Sequence, residues 1–298
     1  MVPADVPADS ARGAAQGRLR LGSRLTAGRV LQAVAAAVIA SHAALWVLVA
    51  LACLLLRFAN PPVTALMLDR RLIAGVPSRP LDFVPLSSIP RYARSMFVRL
   101  EDNTFYEHPG VEVRALREAW RVNRELGFVY RGGSTIPMQL ARTLFLTQSR
   151  TYLRKYMEAW IALEMDLLLP KGRILELYLN TIEFGPGVYG IGAAARYHFH
   201  EPASRLQRDD YRRLATIVAS PLRYNTTDFR RRRALAERYD YLLAAFPDPG
   251  TPPAQIEPPP PPPREEEPSR PEVKAGVVVP ETQGGKALPQ QPQPPQHP

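Results

Sequence analysis

Cysteine is almost absent from this 298-residue chain, which contains Cys53 and no other cysteine. A single thiol cannot form an internal disulfide and cannot build a multi-cysteine zinc site. Histidine is also scarce, with five residues, so the chain offers little material for a metal centre. These shortages exclude a small secreted fold held by disulfides and all multi-cysteine zinc modules.

Lysine is also scarce, so the positions of the few lysines are informative. The chain has 38 basic and 28 acidic side chains, yet its only lysines are Lys155, Lys171, Lys274 and Lys286. A compositional bias toward arginine, alanine and proline accounts for most of the formal net charge of +10. Such a charge suits nucleic acid, a membrane surface or an acidic substrate, and composition does not choose among them. A lysine kept in such a chain is a candidate for chemistry that a guanidinium does poorly.

An uncharged apolar run near the N-terminus predicts a membrane anchor. Residues Val30 to Leu56 contain no formal charge and lie between Arg29 and Arg57. This run is long enough to cross a bilayer as a helix, whereas the apolar part of a cleaved signal peptide is about 7–15 residues long. We therefore favour an uncleaved anchor over a signal peptide. Cys53 is followed by three leucines, which indicates a core cysteine and not a lipoprotein site.

The arginines before this run predict its orientation. Five arginines and two aspartates precede the apolar segment, so residues 1–29 should stay in the cytoplasm. The chain after residue 56 would then lie on the outer face, which in a bacterium is the periplasmic side of the inner membrane. This placement argues against nucleic acid as a partner, despite the positive charge.

The C-terminal composition predicts a disordered tail. Residues 247–298 include an unbroken proline run from Pro258 to Pro263, the acidic triplet Glu265 to Glu267, and further proline and glutamine. Such a segment buries too little apolar surface to offset the entropy of ordering it. Its role is either that of a spacer or that of a docking site for cell-wall proteins or the wall itself. Residues 61–246 remain as one mostly helical domain.

Hydrophobic periodicity and capping residues predict a series of helices in that domain. Ser134 or Thr135 is the expected N-cap of one of them, Pro170 should end another, and the glycine-rich stretch after residue 184 reads as a turn. The predicted helices are Arg91–Leu100, Val113–Leu126, Ile136–Leu146, Thr151–Leu169, Arg173–Leu179, Ala193–Phe199, Tyr211–Ala219 and Phe229–Phe246.

Two clusters in this region have residue types suited to chemistry. The first places the adjacent carboxylates Glu101 and Asp102 shortly before Phe105 and His108. A solvated helix end would explain any one of these residues. The second, residues 132–139, brings small hydroxyl groups and an amide to a helix start, where free backbone N–H groups and the helix dipole favour an anionic group.

The third cluster consists of Arg154, Lys155 and Glu158, which share one helix face by their spacing. An exposed ion-pair network is the ordinary explanation, and such networks contribute little to stability. The neighbouring residues Ala159 and Ala162 are small and apolar, which favours a largely buried helix with its charges facing a cleft.

Taken in order, these clusters resemble the glycosyltransferase domain of peptidoglycan polymerases, the transglycosylase family 51. The resemblance covers about residues 81–224, and two further blocks follow the three clusters. The matching positions are Glu101, Asp102, Phe105, His108, Gly110; Gly132, Gly133, Ser134, Thr135, Gln139; Arg154, Lys155, Glu158, Ala159; Lys171, Ile174, Leu175, Glu176, Tyr178, Leu179, Asn180; and Gly185, Tyr189, Gly190, Ala193, Ala194, Ala195. Since no serine lies three residues before a lysine, as a transpeptidase half would require, a monofunctional polymerase is expected.

The resemblance implies a mainly α, lysozyme-like fold and the polymerisation of lipid II into glycan strands, with release of undecaprenyl pyrophosphate. It implies that Glu101 is the general base and that Glu158 is a second catalytic carboxylate that helps to position the donor. It also implies that Arg154 and Lys155 hold the pyrophosphate. The other substrate-binding residues that it implies are Asp102, Phe105, His108, Ser134, Thr135, Gln139 and Arg142, with His108 equally compatible with a purely structural role.

The implied partners are lipid II, the growing strand, the membrane and, through the tail, other wall-synthesis proteins. No cofactor and no protein metal site are expected, although a divalent cation could accompany the pyrophosphate. Tyr178 and Asn180 are expected to be structural supports.

Some positions depart from the family pattern and leave alternatives open. Pro137 and Met138 replace a usual Thr-Gln pair, Arg142 replaces a frequent lysine, and the C-terminal block is reduced to Leu214–Tyr224. One alternative is a catalytically weak, membrane-tethered scaffold of the wall-synthesis machinery. The other is a glycan-cleaving enzyme with Glu101 as general acid, which the basic pair disfavours because a neutral glycan has no need of it.

Overall fold

The computed structural model describes residues 27–127, 132–149 and 151–252, and within them the chain is mostly α-helical. Residues 1–26 and most of the predicted tail lie outside the described residues. The elements are α1 Ala27–Leu56, α2 Ala65–Ala74, α3 Arg91–Glu101, α4 Val113–Leu126, α5 Ile136–Phe145, α6 Tyr152–Leu168, α7 Lys171–Thr181, β1 Glu183–Gly185, β2 Val188–Tyr189, α8 Ile191–Phe199, α9 Arg208–Ile217 and α10 Arg233–Ala245.

The mainly α prediction is confirmed, with three local differences. Helix α2 was not predicted, although Thr64 caps its first turn and Gly75 ends it in the left-handed conformation. The glycine-rich turn forms an antiparallel hairpin of β1 and β2, in which Glu183 pairs with Tyr189. The last predicted helix was too long, because residues 229–231 form a 3-10 turn and α10 begins only at Arg233.

Side-chain caps fix the starts of the two helices that contain most of the candidate residues. Thr135 is the N-cap of α5, where its hydroxyl accepts the Met138 N–H, and Pro137 occupies the first turn, where the missing N–H costs nothing. Thr151 caps α6 in the same way by accepting the Arg154 N–H. Each such cap contributes about 1 kcal/mol.

Helix α5 lies at the centre of the domain, against α2, α6 and α7. Its residues Ile136, Leu140 and Ala141 are fully buried. Complete burial of a large apolar side chain contributes about 1.5–3 kcal/mol, so this helix is held mainly by its apolar face. On the other side of the core α3 packs against α9, and α9 packs against α10. This arrangement brings the C-terminal end of α3 close to both α5 and α10.

Helix α1 is the one described helix that is long and apolar enough to cross a membrane, and it also packs on α6. The His42 Nε2 lies 3.1 Å from the Tyr156 hydroxyl, and the His42 and Trp160 ring centroids are 5.4 Å apart. Further along, Arg57 donates to the Leu168 carbonyl at 3.4 Å. Later residues of α1 thus contact later residues of α6, so the two helices run parallel.

The α1–α6 interface contains a buried carboxyl group. Glu164 follows Trp160 by one helical turn, is 5% exposed and lies within electrostatic range of Cys53 in α1. Its Oε2 has no hydrogen-bond partner among the described residues. Burial raises the pKa of Glu164, since the charged form loses solvation there. The Glu164 carboxyl is therefore harder to ionise in the folded protein than in the unfolded chain.

We expect Glu164→Gln to raise the melting temperature of the detergent-solubilised protein at about pH 8. A raised pKa in the folded state stabilises the fold at low pH, and this contribution is lost as pH rises through that pKa. An amide, which stays neutral, avoids the loss. A gain of about 1 kcal/mol would shift the transition by about 2–4 °C.

The gain should shrink toward about pH 4.5, where about half of the unfolded Glu164 carboxyl groups are also protonated. Glu237→Gln is the matched control, because Glu237 is exposed and forms a surface pair with Arg233, so its loss should change stability little. Equal melting temperatures of wild type and Glu164→Gln at the higher pH would contradict a raised pKa of Glu164.

Candidate active site

Glu101 is the last residue of α3, and protein donors hold both of its carboxylate oxygens. Gln139 of α5 donates its Nε2 hydrogen to Oε2 at 3.1 Å. Arg238 of α10 donates to Oε1 and forms an ion pair with it. The Glu101 side chain is 11% exposed, so it is largely removed from water but still accessible. A carboxylate with donors on both oxygens is held in a fixed orientation.

Asp102 links the segment after α3 to the start of α5. Its Oδ2 accepts the Ile136 N–H at 2.9 Å, and both of its carboxylate oxygens lie within 3.0 Å of the His108 Nε2. Burial raises the pKa of Asp102, while the hydrogen bonds from Ile136 and His108 oppose that effect. The Asp102 and His108 side chains are both buried, and their hydrogen bonds hold the loop that follows Glu101 against the start of α5.

The same loop is fastened to α5 and α6 by Thr135 and Gly110. The Thr135 hydroxyl donates to the Gly110 carbonyl at 2.6 Å. Gly110 has a φ of +86° and lies directly against the backbone of Ala162 in α6, so that a Cβ there would overlap the Ala162 carbonyl oxygen. Glycine is required here both by its backbone conformation and by this close approach.

The third cluster surrounds a buried carboxylate. Glu158 is 1% exposed, with the Lys155 Nζ 3.0 Å from its Oε2 and the Arg154 guanidinium paired with its Oε1. The Lys155 Nζ also donates to the Ser134 hydroxyl at 2.6 Å, which joins the second cluster to the third. The Lys155 side chain is 33% exposed, so part of it is in contact with solvent. The alternative of an exposed ion-pair network does not fit the buried Glu158.

Tyr178 and Arg142 complete the surroundings of Glu101. The Tyr178 hydroxyl donates to the Gln139 Oε1 at 3.3 Å, which leaves the Gln139 amide nitrogen directed at Glu101. Burial, and then the charge of Glu101, raise the pKa of Tyr178, so this phenol stays a hydrogen-bond donor. Arg142 lies within electrostatic range of Tyr178, Glu101 and Glu183. Burial lowers the pKa of Arg142 from a very high ordinary value, so it remains a cation.

Several predicted residues form the framework of the site. The Lys171 Nζ donates to the His108 carbonyl at 2.6 Å and lies 4.8 Å from the centroid of the Phe105 ring, which is fully buried. A substrate contact by Phe105 therefore stays a prediction. Asn180 binds the N–H and the carbonyl of Val84 at 2.7 and 2.9 Å, which confirms its structural role.

The predicted site residues thus fall into three connected groups. Glu101, Gln139 and Arg142 form the first, and Ser134, Arg154, Lys155 and Glu158 form the second. Asp102, His108 and Thr135 tie the loop between them to α5. The roles assigned to these residues from the sequence stay predictions.

Arg238 was missed in the sequence analysis. The C-terminal block was taken to be reduced to Leu214–Tyr224, whereas α10 lies beyond it and reaches Glu101. A signal was present, because Arg238 lies three residues after Leu235 and four before Leu242, both fully buried. An arginine in the apolar stripe of an amphipathic helix is costly to bury unless it is paired.

The departures Pro137 and Met138 lie in the core. Both are buried in the first turn of α5, and Met138 packs with Val111 and Ala162. They therefore alter the packing beneath the site and leave its polar groups in place. This weakens one of the reasons for expecting an inactive scaffold.

Comparisons with known proteins identify a matching family and several similar proteins. A family model described as "Transglycosylase" matches residues 69–246. The chain is 44% identical over 172 residues to a biosynthetic peptidoglycan transglycosylase of Aeromonas hydrophila, covering 57% of this chain and 73% of that protein. It is 39% identical over 174 residues to a protein of the same name from Pseudomonas aeruginosa, covering 57% of this chain and 75% of the relative.

The role of Gly110 in fastening the loop gives a stability prediction. Gly110→Ala should destabilise the protein by about 1–3 kcal/mol more than Gly127→Ala, because only the former adds overlap with packed backbone. Both glycines have positive φ, +86° and +74°, but a Cβ at Gly127 would meet open space. Thermal unfolding of the two variants measures the difference. Equal losses would show that backbone conformation alone requires glycine at position 110.

Proposed function

The chain belongs to the transglycosylase family, and from that premise we propose that it is a peptidoglycan glycosyltransferase that polymerises lipid II into glycan strands. The observation that supports this most directly is that two groups of different chemistry lie at the start of α5, where Glu101 contacts Gln139 and Lys155 contacts Ser134. A fixed, partly accessible carboxylate at Glu101 accompanies the cations Arg154 and Lys155, which surround the buried Glu158. Glycosyl transfer from a pyrophosphate needs both a base and a positive charge at the leaving group.

In the proposed reaction, Glu101 accepts the proton of the acceptor 4-hydroxyl as that oxygen attacks the anomeric carbon of the donor. A new C–O bond forms on one face of the sugar, the bond to the pyrophosphate breaks on the other, and the configuration inverts. The hydrogen bonds from Gln139 and Arg238 support this role, since they fix the carboxylate before the acceptor binds.

The departing undecaprenyl pyrophosphate takes the electron pair of the broken bond and gains negative charge. We assign its stabilisation to Lys155 and Arg154, whose ammonium and guanidinium groups suit phosphate oxygens. Glu158 acts through them as a positioning residue, because its contacts are with these two cations. Ser134, Thr135, Gln139 and Arg142 would line the donor site, with Asp102 and His108 ordering the loop.

No organic cofactor enters the proposed reaction. Within the described residues, no group of three or more histidine, cysteine, aspartate or glutamate side chains could hold a metal ion, and the Glu158 carboxylate is already paired with two cations. No step above depends on a divalent cation at the pyrophosphate.

We place the protein in the bacterial inner membrane, anchored by α1, with the catalytic domain on the periplasmic side. The N-terminal arginines support this orientation, and a lipid-linked substrate requires a site close to the bilayer. The exposed apolar residues Leu68, Leu72 and Ile73 of α2 are suited to contact lipid. The proline-rich segment 247–298 would reach other wall-synthesis proteins; no nucleic-acid partner is proposed.

The base assignment predicts that Glu101→Gln stops glycan formation. The amide keeps the size of the side chain but cannot accept the proton, and loss of a general base costs about 10²–10⁴-fold in rate. Detergent-solubilised enzyme with labelled lipid II, analysed on a gel, measures the loss. Glu107→Gln is a matched control, because Glu107 is an exposed carboxylate of the same loop. Glycan ladders from Glu101→Gln at the wild-type rate would remove Glu101 as the base.

The leaving-group assignment predicts that Lys155→Ala weakens the binding of a prenyl pyrophosphate. A hydrogen bond to a charged group contributes about 1.5–3 kcal/mol, so the dissociation constant should rise about 10- to 150-fold. Arg233→Ala removes a positive charge that is exposed on α10 and should bind the probe like wild type. Equal affinities of the Lys155→Ala variant and wild type, measured by calorimetry, would refute the role of Lys155.

A further inference from the structure

Helix α10 places a buried arginine directly on the carboxylate that the proposed function makes the base. The Arg238 side chain is 1% exposed, and its guanidinium is ion-paired with the Oε1 of Glu101. The Arg238 Nε makes no hydrogen bond to any described residue, and the salt bridge described for this cation is the one with Glu101. Burying a guanidinium is expensive unless an anion compensates it.

We propose that Arg238 is a positioning residue for the reaction, which keeps Glu101 ionised between turnovers and turns one of its oxygens away from the acceptor. This proposal rests on the proposed function, in which Glu101 accepts the acceptor proton. Arg238 itself does not touch the substrate in this scheme.

The charges around Glu101 support such a role for Arg238 in particular. From α5, Gln139 is neutral and Arg142 is a cation within electrostatic range. Tyr178 of α7 stays protonated. Asp102, the residue after Glu101, is paired with His108. Arg238 is the cation that forms a direct ion pair with Glu101. Its charge stabilises the ionised form of a nearby carboxylate relative to the protonated form.

The pair also has a consequence after proton transfer. When Glu101 takes the acceptor proton it becomes neutral, and Arg238 is left as a buried cation without its counter-charge. That state is disfavoured, so Glu101, which is 11% exposed, releases the proton to solvent water, and its carboxylate is restored for the next sugar. A residue that only holds α10 in place would not have this effect on the charge of Glu101.

A second contact between the same helices allows the electrostatic role to be separated from docking. Arg99 of α3 donates its Nε hydrogen to the Tyr241 hydroxyl of α10 at 2.7 Å. Arg99→Gln therefore removes an arginine contact between α3 and α10 that does not involve Glu101. It is a matched control for Arg238→Gln.

The experiment measures glycan polymerisation by the full-length, detergent-solubilised enzyme as a function of pH. With Arg238→Gln, we expect kcat near neutral pH to fall at least about tenfold and the acid-side midpoint of the kcat profile to rise by about one pH unit. The midpoint rises because loss of a nearby positive charge makes protonation of the Glu101 carboxylate easier. Arg99→Gln should keep the wild-type midpoint.

Arg238→Lys keeps the positive charge and so should leave the midpoint close to that of wild type, with a lower kcat because the contact is less well oriented. This variant tests the proposal even if Arg238→Gln does not fold. The proposal would be overturned if the Arg238→Lys midpoint rose as much as is expected for Arg238→Gln. A folded Arg238→Gln variant with reduced kcat and the wild-type midpoint would also overturn it, since that result describes a merely structural residue.

A second readout does not depend on polymerisation. The infrared difference between each enzyme and the same enzyme with Glu101→Gln reports the pH at which Glu101 gains its proton. A rise of this pH in Arg238→Gln, with no glycan formed by wild type, would reject the proposed function and retain the ion-pair role. No rise, with an active wild type, would reject the role of Arg238 and retain the proposed function.

Discussion

The burial of charged side chains, and the need to pair each of them, is the constraint on which the site depends. Glu158 is almost completely removed from water and is tolerable there because Arg154 and Lys155 both pair with it. Arg238 is equally buried and is paired with Glu101. A buried charge without a partner would cost several kcal/mol. The helices that contain these residues are therefore fixed relative to one another by electrostatics as well as by apolar packing.

Helix α6 extends this constraint from the site to the long apolar helix α1. Tyr156 and Trp160 lie two positions before and after Glu158, about 160° away from it around the helix. One face of α6 therefore presents the charged cluster, while the opposite face packs on α1 through His42. The buried Glu164 belongs to the α1 side. A change in how α1 packs would be transmitted directly to the helix that contains Lys155.

The sequence predicted the parts of this site that depend on local patterns. Val113–Leu126 was predicted with both of its ends, and Thr135 was one of two expected caps, because helix periodicity and capping are encoded by neighbouring residues. The clustering of Arg154, Lys155 and Glu158 followed from their spacing on one helix. The resemblance to a family then supplied the roles of residues that lie far apart in the chain.

Other contacts could not be predicted because they join distant segments without a local signature. The ion pair between Glu101 and Arg238 spans 137 positions and depends on how α10 docks beside α3. The hydrogen bond from Lys155 to Ser134 depends on the angle between α5 and α6. The hairpin of β1 and β2 was read as a turn because its strands are too short to show alternation.

The sum of charges in the site explains why one arrangement can serve two steps with opposite needs. Arg142, Arg154, Lys155 and Arg238 outnumber the carboxylates Glu101, Asp102 and Glu158. An excess of positive charge makes a carboxylate a weaker base, because it stabilises the ionised form. In the proposed reaction, the same excess stabilises the departing pyrophosphate, whose negative charge grows as its bond to the sugar breaks. The arrangement therefore favours a reaction in which loss of the leaving group, and not removal of the acceptor proton, is the more demanding part. A glycan-cleaving enzyme, which releases a neutral sugar and needs a protonated acid, would gain nothing from it.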